Sequence, residues 1–192
     1  MSKALETTDT VRRALAEAES WVSREVREDL GFWDDYEEPS RIDSPIEAAF
    51  SIWWRAVALT WRIRGCDEGL SLAPQRQVTV EDRAYRLDFA VEPGDIDPIF
   101  DNDRFGLGLR EPLIAVELDG HDFHERTREQ VVRRNQRDRD LQVSGWKIFH
   151  FSGSEVYQNG QVSAEDVFGH AAHEWAVFRR DVRDAKRLKG LV

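Results

Sequence analysis

The chain has 192 residues, 41% hydrophobic and 33% charged, with a formal net charge of −10. That length suits one domain with a real core plus a helical extension, and the composition is that of an ordinary soluble globular protein. The acidic balance argues against a protein that coats nucleic acid through bulk charge, although basic runs at 126–139 and 179–190 allow a local positive face.

Cys66 is the only cysteine, which excludes an intrachain disulfide and a multi-cysteine zinc site. The first twenty residues carry no apolar secretion segment, and Arg55 and Arg62 interrupt the longest apolar region. Neither a signal peptide nor a membrane span is expected, and the expected location is cytoplasmic.

Residues 3–30 predict a polar helix, followed by an acidic linker with Pro39. An N-terminal helical arm and linker over 1–43 therefore precede a compact domain over 44–192. "SPIE" (44–47) is a strong helix start: Ser44 caps, Pro45 fits the first turn, and Glu47 holds the capping-box position. Ile46, Phe50, Trp53, Val57 and Trp61 then recur at helical spacing to about Ile63. "QRQVTV" (75–80) and "RAYRLDFAV" (83–91) predict two strands joined by a hairpin at Glu81-Asp82. A long loop follows over 92–111, then a third strand, "PLIAVELDG" (112–120). A very polar helix is expected from Thr127 to about Ser144, with Gly145 as its stop. "WKIFHF" (146–151) reads as a fourth strand, and a last helix is expected from near Ser163. This order predicts an α/β (α+β) domain with a mixed sheet flanked by helices.

The chemistry gathers at strand ends. Asp88 interrupts the apolar run "RLDFAV". Glu117 and Asp119 fall on one side of the third strand, because side chains alternate with period two. Pairing of the second and third strands would bring these carboxylates together at the sheet edge. Crowded carboxylates repel unless a proton or cation intervenes, and oxygen-rich clusters suit Mg²⁺ or Mn²⁺. Such a site favours metal-assisted phosphodiester hydrolysis. Facing solvent or pairing with nearby arginines is the bland alternative for each acid.

"RLDFAV", "AVELDG" and then "HERTREQ…RDRDLQVSGWKIFHFSGSEV" resemble the PD-(D/E)XK nuclease superfamily, closest to the very-short-patch-repair (Vsr-like) endonuclease branch. The resemblance spans roughly 44–157. It is carried by the acid-x-Asp-Gly strand ending, a histidine four residues after the glycine, and "LQVSGWKIF" leading into a strand. It implies a restriction-endonuclease-like αβββαβ core and a divalent-metal-dependent endodeoxyribonuclease using Mg²⁺ or Mn²⁺. Asp88, Glu117 and the Leu118 carbonyl would be metal ligands, and His124 would activate water or protonate the leaving 3′-oxygen. Glu47 matches an acid that reaches the metal through water; as a capping residue it would be needed there anyway. The superfamily lysine two residues after the second acid is replaced by Asp119, where the Vsr-like branch has histidine. The structural zinc of that branch is not expected here.

Arg137 is the expected phosphate contact on the polar helix, with Arg133 and His121 as further nucleic-acid contacts. His121 is also a candidate for the missing base. Most of the interleaved charge on that helix reads instead as a solvated face. Gln75 and Gln77 are polar neighbours without an assigned role. DNA is the expected partner, RNA is not distinguished from it, and a second copy or a partner protein would supply specificity. A nuclease fold reduced to a binding module is the competing reading.

Overall fold

A computed structural model describes residues 8–22, 42–65, 69–94, 106–120 and 127–191. The described elements run α1 (Asp9–Trp21), α2 (Pro45–Ile63), β1 (Leu70–Val80), β2 (Arg83–Pro93), β3 (Leu113–Asp119), α3 (Arg128–Val143), β4 (Trp146–Ser152) and α4 (Gly153–Leu188). The four strands form one sheet in the order β1-β2-β3-β4. The first two pairings are antiparallel and β3 with β4 is parallel, so α3 makes the crossover between them. The architecture is therefore α+β with a mixed sheet.

Local signals place most elements where the sequence put them, although β1 begins at Leu70, five residues before the expected Gln75. Ser44 caps α2, accepting from the Glu47 N–H, with Pro45 at its start. Thr127 and Gln130 form a complete capping box on α3, and Gly145 leaves that helix at φ 97°. Glu81 and Asp82 both take positive φ, as a two-residue hairpin turn requires. The last helix departs from expectation: α4 begins at Gly153, ten residues before Ser163. Ser152 and Glu155 form a capping box there, and the glycine-containing stretch is absorbed by a non-helical kink at Asn159. Gly160 follows the kink because a Cβ at that point would lie 2.2 Å from Trp53 Cδ1.

Two cores enclose the sheet. The larger lies between the sheet and helices α2 and α4, and includes Phe50, Ile52, Val57, Phe89, Ile114, Val116, Val167 and Phe168; Val11, Ala14 and Ala18 of α1 also join it. The smaller holds Val80, Leu87, Ala90, Ala115 and Leu141, with Trp146 and Ile148 against it, under α3. Of the α3 residues only Leu141 is buried. Polar contacts therefore do much of the docking: Asp140 accepts from Tyr85 Oη at 2.5 Å and from Arg83 at 2.8 Å.

The β1–β2 hairpin turns over midway. Leu72 and Phe89 contribute to the large core, whereas Val78 and Leu87, an even number of residues away on the same strands, belong to the small one. The change occurs where Pro74 pairs with Phe89 and Arg76 with Leu87, while Gln75 and Asp88 drop out of the ladder. Gln75 has φ 51° at this break.

Candidate active site

The break lies on a polar row that crosses the sheet. Carrying the antiparallel ladders one residue further sets Gln75 opposite Asp88, and Asp88 opposite Glu117; Glu117 pairs directly with His150 on β4. The row on one side is apolar, made of Phe89, Val116 and Phe149. Ile114, Val116 and Leu118 point into the large core. Alternation therefore turns Glu117 and Asp119 toward α3.

Asp88 is fixed by the backbone of the next strand, its Oδ2 accepting from the Leu118 N–H at 2.8 Å. Burial raises its pKa above the usual carboxylate range. The Leu118 N–H opposes that rise, the negative charge of Glu47 adds to it, and Arg137 and Arg86 oppose it more weakly. Glu117 is buried, and desolvation drives its pKa from 4.5 to about 7; Arg137 opposes the rise, and the charges of Asp88 and Asp138 reinforce it. Coulombic coupling to Asp88 thus links Glu47, Glu117 and Arg137 into one electrostatic unit.

Helix α3 supplies the counter-charges. Arg137 Nη2 lies 2.5 Å from Glu117 Oε2, and Arg134 Nη2 lies 2.6 Å from Asp119 Oδ2. Burial works against the Arg137 charge, but Glu117 and its acidic neighbours outweigh it and raise the guanidinium pKa. Asp138 stands between them, 3.9 Å from Arg134 Nε and 3.7 Å from Arg137 Nε. His150 completes the network: Nδ1 lies 2.8 Å from Arg134 Nη2 and Nε2 lies 3.3 Å from Asp138 Oδ2. Burial lowers the His150 pKa, the two arginines push it the same way, and Asp138 and Asp119 resist. That direction favours the neutral ring as a hydrogen-bonding group.

Glu47 combines two roles. Its Oε1 accepts from Ser44 Oγ at 2.8 Å, and its Oε2 accepts from the Asp43 N–H at 3.1 Å and from Gln75 Nε2 at 2.8 Å. It therefore braces the capping residue Ser44 without closing the expected capping box, since the backbone N–H it takes is that of Asp43, and it also reaches the strand break. Of the other expected residues, Leu118 contributes its N–H to Asp88, and Arg133 is exposed on α3. His121 and His124 lie outside the described residues. Asp138, Arg134 and His150 are the members that sequence reasoning missed. Their signal was present: Arg134, Arg137 and Asp138 lie seven, four and three residues before Leu141, on its face of the helix, and His150 continues the Trp146–Ile148 alternation.

Among the described residues, no three His, Cys, Asp or Glu side chains are gathered as a ready-made metal-binding group. The donor chemistry nevertheless suits a hard cation. Glu117 Oε1 is buried and has no hydrogen-bond donor among the described residues. Beside it stands a second partly desolvated carboxylate, Asp88; burial holds both above their usual range, with the charge of Glu47 adding to the rise of Asp88 and that of Asp88 to the rise of Glu117. A divalent ion with oxygen ligands would answer both deficits. Comparison with protein-family profiles, with characterised proteins and with solved structures finds no match to this chain.

Proposed function

We propose that the protein is a divalent-metal-dependent endonuclease of the PD-(D/E)XK kind, acting on DNA with Mg²⁺ or Mn²⁺. The observation that carries this reading is the pairing of a buried carboxylate, Glu117, with a half-buried one, Asp88, on adjacent strands, with an oxygen on Glu117 unpartnered among the described residues and a guanidinium at hand. Asp88 and Glu117 would hold the cation, with the Leu118 N–H fixing the orientation of Asp88. When bound, a divalent cation supplies Lewis-acid stabilisation of phosphoryl charge and lowers the pKa of a coordinated water.

The chain's own residues supply the rest. Arg137 brings from α3 the fixed positive charge that the strand lacks at Asp119, and its planar fork suits a phosphate oxygen pair. Asp119 is tied to Arg134, so it orients α3 over the sheet instead of standing in for lysine. His124 keeps the role that the sequence resemblance implies, proton transfer to or from the reacting oxygens.

A second reading, a nuclease fold that binds nucleic acid or protein without cutting, is favoured by one observation: Arg137 already occupies Glu117 Oε2. Cleavage of supercoiled plasmid with Mg²⁺, Mn²⁺ or EDTA separates the two. Nicking that needs metal and is lost in Asp88→Asn, with circular dichroism unchanged, supports the enzyme. Absence of cleavage in every metal supports the binding module.

A further inference from the structure

We propose that Gln75 belongs to the same cation site, its carboxamide oxygen serving as a neutral ligand and its NH₂ group tying Glu47 to the outer sphere. The inference rests on the reading of Asp88 and Glu117 as cation ligands, and it extends the site to a strand and a residue type that the carboxylate motif does not include.

Position comes first. Gln75 lies at the end of the row that continues through Asp88 and Glu117, at the point where the β1–β2 ladder is interrupted. It is the only described non-glycine residue outside the hairpin turn with positive φ, at 51°. A β-strand residue other than glycine keeps that conformation only when its surroundings over-determine it, and such residues concentrate at functional sites.

The orientation of the amide follows from its partner. Nε2 donates to Glu47 Oε2 at 2.8 Å, and Glu47 is a carboxylate that can only accept. Turning the amide over would set oxygen against oxygen. The acceptor end is therefore directed away from Glu47, and Gln75 Oε1 is buried with no donor among the described residues. Gln75 is 9% exposed and Glu117 7%, so two buried acceptor oxygens flank Asp88 without a hydrogen-bond donor among the described residues. A paired orphaning of acceptors is what a cation removes.

Neutrality also matters. Asp88 already feels the charge of Glu47, and Glu117 that of Asp88, so another carboxylate would add to that repulsion. A carboxamide oxygen fills a place around a hard cation without doing so. Its NH₂ group meanwhile holds Glu47 at outer-sphere distance, the arrangement in which supporting partners tune affinity.

The test is titration of the full chain with MnCl₂, followed by calorimetry and by the loss of free-Mn²⁺ electron paramagnetic resonance signal. Wild type, D88N, Q75M and Q75G are compared, with thermal melts alongside. Methionine matches the length of glutamine without its polar atoms, and glycine accepts the positive φ, so a loss shared by both is not a folding defect. The expected result is wild-type binding abolished in D88N and weakened about 10–100-fold in Q75M and Q75G. Binding in both Gln75 variants equal to wild type overturns the role of Gln75 and leaves the Asp88–Glu117 site standing. Wild type that binds no Mn²⁺, or D88N that binds as wild type does, overturns the site itself.

Discussion

Replacing Glu117 by glutamine should remove a large pH dependence of stability. In the folded chain burial holds this carboxyl protonated up to about pH 7, against an ordinary value of 4.5. Between those values the folded state keeps a proton that the unfolded state has released, so stability falls as pH rises. The stabilising effect of the raised pKa is complete below about 4.5 and is lost once pH passes about 7. At about 1.4 kcal/mol per pH unit, the change across that window is about 3 kcal/mol. Glutamine mimics the protonated acid and still offers Arg137 an acceptor. Urea unfolding in EDTA at pH 5 and pH 8 gives the comparison. Relative to wild type, Glu117→Gln should gain about 2–3 kcal/mol between the two pH values, because pH 5 already lies inside the window. Asp88, whose pKa is also raised by burial, contributes in the same direction and leaves a residual slope in the variant. Equal pH dependence in both proteins would refute the reasoning, because it would mean that the ion pair with Arg137 fully offsets the cost of burial.

Three further outcomes test the framework. Glu47→Ala removes the acceptor for Ser44, Asp43 and Gln75, and should cost about 1–2 kcal/mol of stability in urea melts. Gly160→Ala places a Cβ against buried Trp53, and should lower stability by about 1–3 kcal/mol in spite of alanine's better helix propensity. Leu141→Ala deletes the one buried apolar contact of α3; a loss of about 2–5 kcal/mol is expected by thermal melt.

The sequence carried the frame of this molecule because its elements have local signals. Glu81-Asp82 announces the hairpin and Thr127 with Gln130 announces α3; both behave as their chemistry demands. Asp88 and Glu117 were legible as acids interrupting apolar strands. The start of α4 was missed although Ser152 and Glu155 repeat the Ser44–Glu47 spacing, because Gly153 and Gly160 are weak helix formers and dilute the helical signal there. The ion pairs of α3 were read as solvated charge, since a helix so polar shows little amphipathic pattern; only Leu141 marks its inner face. The φ of Gln75 was not legible at all. No local rule places a glutamine in the left-handed region within a strand, and its conformation reflects partners distant in sequence, with Glu47 28 residues away.

The central claim is that Asp88 and Glu117 together hold a divalent cation. Its most direct test is a crystal structure grown with MnCl₂, with the ion located by anomalous scattering. The account predicts a peak at hard-cation distance, about 2.1 Å, from a carboxylate oxygen of each residue. A map with no such peak, and with Arg137 still the sole positive charge on Glu117, would contradict it.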